Sequence, residues 1–363
     1  MFVADLHNDV LQRAIVGEDI ITKSNNGHTD IERLIEGKIN LEVFAIWMPK
    51  HYLQHAAFSR ANELIDKLEE IDKKTDLLIK INSLGDINFK KDKTLYAAIG
   101  IEGGECFEGS IDKLEHFINR GLFYLGPTWN YSTDLATSAY DEKFNLKNIK
   151  SIGLTKFGLE SLKLCEERGV LIDVSHIGEK SFWDIMKIAK NPIIASHSNA
   201  HTLCPHFRNL KDDQIKAIKE KKGIICLNLY PAFIDIDFQE KDKKFKESLK
   251  NDLNYIDLKY QNPDLRWVYR QYFLQKSLYS IVPSLEKFVD HIEYIINLIG
   301  IDYVGIGSDY DGTDCLPKGI IDCLDHMKIG DELKKRGYNE KDIEKVMGLN
   351  LLRVYDLIKS KSN

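Results

Sequence analysis

The chain has 363 residues, of which 43% are hydrophobic and 29% charged, and its formal net charge at pH 7 is −6. This composition predicts a globular protein with a sizeable core and excludes an intrinsically disordered chain. The negative charge leaves no basic face for nucleic acid, since the lysines between residues 241 and 250 alternate with acidic residues. The length fits two average domains or one large α/β barrel.

Short, almost continuously apolar runs alternate with amphipathic stretches along the chain. Such runs are typical of strands buried on both faces, and here they lie at residues 2–7, 41–47, 95–101, 124–129, 170–176, 192–197, 223–229 and 303–309. Helical patterns between them include residues 57–73, 155–168, 179–189 and 285–298. Because parallel strands are joined by crossover helices, this order predicts a single (β/α)8 barrel of the TIM type. An open, doubly wound sheet is the alternative.

One long segment, residues 233–283, interrupts this alternation. It is rich in Lys, Asp and Tyr, and only residues 265–279 within it show a helical pattern. Long inserts in barrel enzymes usually lie on the face of the active site. We therefore predict one barrel domain over residues 1–363, with an inserted lid or dimer contact at about 233–283. A merely solvated insertion is the alternative.

The six cysteines are scattered and form no Cys-x-x-Cys pair, so they indicate free, buried thiols rather than a thiolate zinc site or a redox motif. No charged and apolar leader precedes His7, and no run approaches the roughly 18 apolar residues needed to cross a bilayer. We therefore expect a cytoplasmic protein without a membrane partner.

Metal-competent side chains recur at the carboxyl ends of the predicted strands. Five strands contribute them: His7 with Asp9, Glu102, His176, His197 and Asp309. In an eight-stranded barrel these ends converge on one face, which is where active sites are built. Any one of these residues alone would more often be a core histidine or a surface carboxylate. Together they predict a metal site.

The number of ligands indicates how many ions are bound. Three histidines with Glu102 and Asp9 are too many for one catalytic zinc with an open position, but they fit two divalent ions that share a bridging carboxylate. Two such ions would hold a bridging water, lower its pKa toward neutrality and clamp a carbonyl oxygen, as amide hydrolysis requires. Asp309 could then take the proton of the water and pass it to the leaving amine.

At this point the chain resembles the membrane dipeptidase (renal dipeptidase) family of binuclear zinc peptidases over nearly its full length. The matching motifs, in the order of the family, are DLHND at 5–9, EGG at 102–104, DVSH at 173–176, SHSNA at 196–200, RNL at 208–210, NLYP at 228–231 and GSDYDG at 307–312. The resemblance implies a dipeptidase with two Zn²⁺ ions and a dipeptide substrate, with a homodimer as one common state. By resemblance, His7 and Asp9 bind one ion, His176 and His197 bind the other, and Glu102 bridges the two.

The resemblance also implies roles in catalysis and substrate binding. Asp309 matches the catalytic acid/base, and Arg208 matches the anchor of the terminal carboxylate of the substrate. A planar guanidinium suits a carboxylate, so Arg208 would select dipeptides; without the resemblance it would be interpreted as a surface charge. Tyr230 is expected to line the pocket or to lie in the core. Trp129 is also expected at the substrate, where mammalian members carry a histidine, and its indole can donate a hydrogen bond but cannot titrate.

Two other functions remain open at this stage. One is hydrolysis of another amide, a lactone or a phosphoester by a binuclear barrel enzyme. Against it, the first motif is His-x-Asp rather than the His-x-His of the amidohydrolase superfamily, and Glu102 takes the place of the modified lysine that many of those enzymes use. The other is a catalytically idle relative that binds peptides or a protein partner, which Trp129 and the insertion would permit.

Overall fold

The computed structural model describes residues 1–52, 56–89, 91, 93–149 and 152–362. Within these residues, parallel strands form a single sheet. The strands are β1 (Ala4–Asn8), β2 (Leu41–Ile46), β3 (Leu78–Lys80), β4 (Leu95–Glu102), β5 (Leu122–Gly126), β6 (Leu171–Asp173), β7 (Ile193–Ala195), β8 (Ile224–Leu227) and β9 (Val304–Ile306).

Eight of the strands form a barrel in the order β1-β2-β4-β5-β6-β7-β8-β9. The short strand β3 pairs with the first residues of β4, Leu95–Ala97, while β5 pairs with its last residues, Ile99–Glu102. Between the first and last strands, a parallel bridge joins Asn8 to Tyr310, and the Asp9 amide donates to the Tyr310 carbonyl at 2.9 Å. The predicted (β/α)8 barrel is confirmed, and the open sheet is not observed.

The interior of the barrel is packed by alternate residues of the strands. Tyr96 and Ala98 of β4 belong to the same buried cluster as Ile224 and Cys226 of β8, a strand on the opposite side of the barrel. Because side chains alternate between the two faces of a strand, Glu102 has the same orientation as Tyr96 and Ala98. It therefore faces the interior of the barrel at the carboxyl end of β4.

Helices surround the barrel and contribute the outer layer of the core. They are α1 (Leu11–Ile15), α2 (Ile31–Glu36), α3 (Ala57–Lys74), α4 (Ile111–Asn119), α5 (Ala139–Phe144), α6 (Lys156–Glu167), α7 (Glu179–Ile188), α8 (Asp212–Glu220), α9 (Pro231–Ile234), α10 (Ile236–Ser248), α11 (Lys250–Lys259), α12 (Pro263–Ser277), α13 (Leu285–Ile299), α14 (Lys328–Lys335), α15 (Glu340–Glu344) and α16 (Asn350–Ser362). The four predicted helices correspond to α3, α6, α7 and α13. None of the helices in the described part of the chain combines the length and the hydropathy needed to span a bilayer.

Several predicted strands were wrong at their carboxyl ends. The runs at 170–176, 192–197 and 303–309 extend three, two and three residues beyond β6, β7 and β9, respectively. The backbone leaves the sheet there, and His176 and Asp309 have positive φ angles of 62° and 63°. Residues other than glycine rarely have positive φ angles, and they keep them only where the surrounding structure stabilises this backbone conformation. The last polar residues of these runs therefore lie in short loops above the barrel.

The segment after β8 is almost entirely helical. The predicted helix at 265–279 corresponds to α12, which begins after Asn262, whose side chain accepts hydrogen bonds from the amides of Asp264 and Leu265. The preceding helices, α10 and α11, were not predicted. Each fully buries only one residue, Phe238 and Leu253 respectively, so the sequence carries little helical periodicity there.

Candidate metal centre and active site

Glu102 lies at the centre of a buried cluster formed by the predicted metal ligands. One of its carboxylate oxygens, Oε2, lies 3.5 Å from Nε2 of His7. The other, Oε1, lies 2.8 Å from Nε2 of His176 and 3.4 Å from Nε2 of His197. Oδ2 of Asp9 lies 3.4 Å from the same nitrogen of His7. The structure thus brings together all five residues, which come from four different strands or the loops after them.

The donor atoms of this cluster fit divalent cations. Nε2 of His176 and Nε2 of His197 are only 3.0 Å apart, and Oδ1 of Asp9 is buried without a hydrogen-bond partner. Imidazole nitrogens and carboxylate oxygens that converge in this way are the ligands that zinc and similar ions take in proteins. Ligand atoms of His7, Glu102 and His197 all lie within 4.8 Å of one another, as do those of His7, Asp9 and Asp309. The second group shows that Asp309 is also within reach of an ion.

The orientation of His197 is fixed by a short chain of hydrogen bonds. The Ser196 hydroxyl donates to Oδ2 of Asp173 at 2.7 Å and lies 2.8 Å from Nδ1 of His197. A hydroxyl that donates to a carboxylate can accept from the imidazole, which places the proton on Nδ1 and leaves the Nε2 lone pair free. The tautomer that this chain favours is therefore the one needed for a metal ligand.

The other two histidines are held in the same way. Nδ1 of His7 lies 2.8 Å from the Tyr124 hydroxyl, and Nδ1 of His176 lies 3.1 Å from Oδ1 of Asn130. In both cases Nε2 is the nitrogen directed at the cluster. Tyr124 and Asn130 were not predicted, because Tyr124 is 117 positions away from its partner and no motif links the two.

Asp309 lies beside the cluster and is held by the barrel. Its amide donates to the His7 carbonyl at 3.1 Å, and its Oδ2 accepts a hydrogen bond of 2.8 Å from Nδ2 of Asn228. In the metal-free protein, burial raises the pKa of Asp309 to about 7, and the neighbouring charge of Asp9 acts in the same direction. A carboxyl group with a pKa near neutrality can both accept and donate a proton at pH 7.

Arg208 is a buried charge, and its interpretation as a surface residue is wrong. Its side chain is almost fully covered, with Nη2 at 3.5 Å from the His197 carbonyl and the guanidinium 5.5 Å from the centre of the Phe233 ring. Burial lowers the pKa of Arg208 to about 10, so it stays charged at neutral pH. Its Nε has no hydrogen-bond partner, which leaves a donor available for a ligand.

A cavity of about 590 Å³ opens above the cluster. The residues that line it include Asp9, Glu102, His176, Arg208, Asp309, Trp129 and Tyr230, and helices α10 and α12 contribute part of its wall. Trp129 stacks on Trp47, with 4.9 Å between the ring centres and 28° between the ring planes. Tyr230 contacts the Phe233 ring edge to face, at 5.0 Å. Both residues thus line the cavity above the cluster.

A (β/α)8 barrel with a histidine and carboxylate cluster at the carboxyl ends of its strands is the arrangement of a metal-dependent enzyme. The family model for membrane dipeptidase (peptidase family M19) matches residues 1–363, and the chain belongs to this family. It is accordingly a metal-dependent dipeptidase, an enzyme that hydrolyses peptide bonds. The predicted family and enzyme class are confirmed.

The chain is also similar to individual relatives and solved structures. The chain is 33% identical over 282 residues to an uncharacterised protein in the PQQ-III 3′ region of Acinetobacter calcoaceticus, covering 70% of this chain and 88% of that one. It is 26% identical over 360 residues to mouse dipeptidase 3, covering 97% and 64%. A metallopeptidase from Rhodobacter sphaeroides, liganded with a phosphinate mimic of L-Ala-D-Ala, has the same fold, with a TM-score of 0.78, 23% identity and 99% of both chains covered.

Proposed function

We propose that the enzyme uses two zinc ions, held by His7 and Asp9 on one side and by His176 and His197 on the other, with Glu102 shared between them. The observation that carries this proposal is the placement of Glu102, whose two oxygens face different histidines. A carboxylate in that position can bind one ion through each oxygen. Three imidazole nitrogens among the ligands favour zinc over magnesium or calcium, which prefer oxygen.

When bound, two such ions lower the pKa of a water held between them and polarise the carbonyl of the scissile bond. The remaining work falls to side chains of this chain. Asp309 takes the proton of the attacking water on Oδ1 or Oδ2 and returns it to the nitrogen of the leaving residue. Asn228, which donates to Oδ2, fixes the orientation of that carboxylate. In the metal-free protein, burial raises the pKa of Asp309 to about 7.

Arg208 and Tyr230 are proposed to hold the terminal carboxylate of the substrate. The guanidinium of Arg208 is charged, buried and short of one partner, and a carboxylate would supply the missing acceptor. Both residues line the same cavity as Glu102 and Asp309. A carboxylate held there would select substrates that end one residue after the bond that is cut, a condition that dipeptides satisfy.

The segment 233–283 is proposed to roof this cavity within a single domain that spans residues 1–363. In support, Gln239 and Asp242 of α10 and Trp267 and Gln271 of α12 all line the cavity. These pairs are spaced by three and four residues, so each pair lies on one face of its helix. The roof is here defined as helices α10, α11 and α12.

A dimer contact is proposed as a second role for the same segment. Tyr255 and Leu258, three residues apart on α11, are 65% and 76% exposed, as expected for a helix that packs against another copy. The size of the protein in solution, measured by light scattering, tests the dimer.

We also propose a cytoplasmic location. The six cysteines are all buried and free, which suits a reducing compartment.

The proposed function is tested by comparing substrates on zinc-loaded protein. We expect cleavage of L-Ala-L-Ala, while its C-terminal amide, a lactone and a phosphoester are cleaved at least about 100-fold more slowly, because only the dipeptide offers Arg208 a carboxylate. Arg208→Met should raise KM for the dipeptide and abolish the discrimination against the amide. Lys211→Met, which removes a surface cation paired with Glu179, is the matched control. Faster cleavage of the lactone or the phosphoester by the wild type would contradict the proposal.

A further inference from the structure

Three tryptophans form one contiguous wall of the active-site cavity. Trp47 follows β2, Trp129 follows β5 and Trp267 belongs to α12 of the roof. Trp47 stacks on Trp129 and contacts Trp267 edge to face, with 5.7 Å between the ring centres. The wall thus combines two features of this chain, the tryptophan at position 129 and the long insertion, into one packed unit.

The order of the strands places this wall across the cluster from Arg208. Strands β2 and β5 flank β4, which carries Glu102. Tyr230 follows β8, which is four strands away from β4 in either direction around the barrel, and Arg208 contacts the carbonyl of His197, just after β7. The tryptophan wall and the carboxylate anchor are therefore on opposite sides of the metal ligands.

This arrangement fixes the direction of a bound dipeptide. With its terminal carboxylate at Arg208 and the scissile carbonyl over Glu102, the amino-terminal residue extends toward β2 and β5. We propose that the tryptophan wall, formed by Trp47, Trp129 and Trp267, is a subsite for the amino-terminal residue and selects dipeptides in which that residue has a large aromatic side chain. The inference rests on the proposed dipeptide hydrolysis and names its preferred substrate.

The chemistry of the wall supports an aromatic occupant. Aromatic rings prefer edge-to-face or offset contacts with other rings, and each such pair adds to the free energy gained by removing apolar surface from water. Trp267 is also held firmly, because the neighbouring Asp264 on α12 accepts a hydrogen bond from Tyr52 at 2.7 Å and lies 3.2 Å from Arg60. A wall that is already packed and anchored costs little free energy to order when a ligand binds.

The same cavity offers one competing recognition element. Oδ1 of Asp242 and Oε1 of Gln271 are buried acceptors without a partner, and both residues line the cavity. A lysine side chain on the substrate could satisfy them. The tryptophan wall differs from this pair because its rings contact one another. Trp129 also approaches His176, with 6.3 Å between the ring centres, so the wall is the surface next to the ligand cluster.

The test compares L-Phe-L-Ala with its isomer L-Ala-L-Phe, with L-Lys-L-Ala and with L-Ala-L-Ala on the zinc-loaded enzyme. We expect kcat/KM for Phe-Ala to exceed that of each of the others by about tenfold or more, the size typical of a side chain that fills an apolar pocket. Trp267→Ala should reduce the ratio of Phe-Ala to Ala-Ala to near one, while Trp267→Phe retains most of it. Tyr269→Ala removes an exposed ring from the same helix and should leave the ratio unchanged.

Specific outcomes would overturn the inference. A preference for Ala-Phe would place the wall at the carboxyl-terminal residue, and a preference for Lys-Ala would assign selection to Asp242 and Gln271. If Trp267→Ala lowers kcat/KM equally for Phe-Ala and Ala-Ala, Trp267 has a structural role only. If no dipeptide is cleaved, the affinities of phosphinate analogues of Phe-Ala and Ala-Ala test the subsite independently of hydrolysis. Tighter binding of the aromatic analogue, lost in Trp267→Ala, supports the subsite although the proposed hydrolysis fails, and equal binding overturns it.

Discussion

The ligand cluster and the roof are built in different ways. The cluster consists of side chains from strand ends or the loops directly after them, and its histidines are each oriented by a hydrogen bond on the opposite ring nitrogen. In the roof, α10 and α11 bury one residue each and α12 buries four, and Phe238, Leu253 and Leu274 join these helices in a small hydrophobic cluster of their own. Polar contacts of Asp264 with Tyr52 and Arg60 link the roof to the barrel. Under the functions proposed above, the barrel and its loops hold the reaction chemistry and Arg208, while the inserted helices add Trp267 to the contacts with the amino-terminal residue of the substrate.

The most severe way to break the cluster is Glu102→Gln. An amide offers one neutral oxygen in place of two charged ones, so it cannot bridge two cations. We expect metal content to fall below two ions per chain and turnover to fall on the order of 10³-fold or more. Metal analysis of the dialysed protein, together with the rate on L-Ala-L-Ala, checks both effects.

Glu105→Gln is the matched control for that variant. Burial raises the pKa of Glu105 to about 8 in the metal-free protein, and this residue belongs to neither of the metal-competent groups among the described residues. Metal content and turnover should therefore stay close to those of the wild type. If Glu102→Gln behaves like this control, the bridging role of Glu102 is wrong.

Asp309→Asn separates proton transfer from metal binding within the cluster. An amide cannot carry the proton, so turnover should fall by about 10²- to 10⁴-fold while two ions remain bound. The distinction matters because Asp309 oxygens lie close enough to His7 and Asp9 to reach an ion. Loss of one ion in this variant would make Asp309 a ligand, and full activity would exclude its role as acid and base.

The roof should be weakened without touching the cluster by Asp264→Ala. The change leaves the buried Arg60 without its partner in the roof, and we expect the free energy of unfolding to fall by about 2–4 kcal/mol. Metal content should stay at two ions, since no ligand belongs to the roof. Asp257→Ala, which breaks a surface pair with Arg270 in the same segment, should cost less than about 1 kcal/mol in urea unfolding.

The smallest predicted effect concerns the stability of the folded protein at low pH and the buried residue His326. His326 is fully buried, and burial lowers its pKa to about 4, whereas an unfolded histidine titrates near 6.5. Because the unfolded chain binds the proton first, stability is lost as the pH falls from about 6.5 toward 4. Between pH 7 and pH 4.5 the wild type should lose about 2 kcal/mol more than His326→Gln, by urea unfolding. Parallel losses in the two proteins would contradict this assignment.

The comparison of the two regions also explains what the sequence could predict. The eight barrel strands are recognisable because each is a buried apolar run, and the metal ligands are recognisable because they follow those runs in a fixed order. Strand β3 was missed because only Leu78 of its three residues is buried and the strand ends in Lys80, so it does not form a buried apolar run. The carboxyl ends were predicted too long because the left-handed turn at His176 depends on contacts that only the fold provides.

The residues that orient the metal ligands, and the roof, could not be predicted from local patterns in the sequence. Tyr124 meets His7 across 117 positions, and Trp47 meets Trp267 only once α12 has docked on the barrel. Helices α10 and α11 have mostly polar sequences, so periodicity could not reveal them. Hydrophobic patterns predict elements that build the core, whereas contacts between distant side chains require the structure.

The central claim is that Glu102 joins two ions into one catalytic centre. It is tested most directly by adding Zn²⁺ stepwise to metal-free protein while bound zinc and the rate of L-Ala-L-Ala hydrolysis are measured on the same samples. The account predicts saturation at two ions per chain, with the rate reaching its maximum only when the second ion is bound. Full activity with one bound ion, or activity that persists in a chelator, would contradict it.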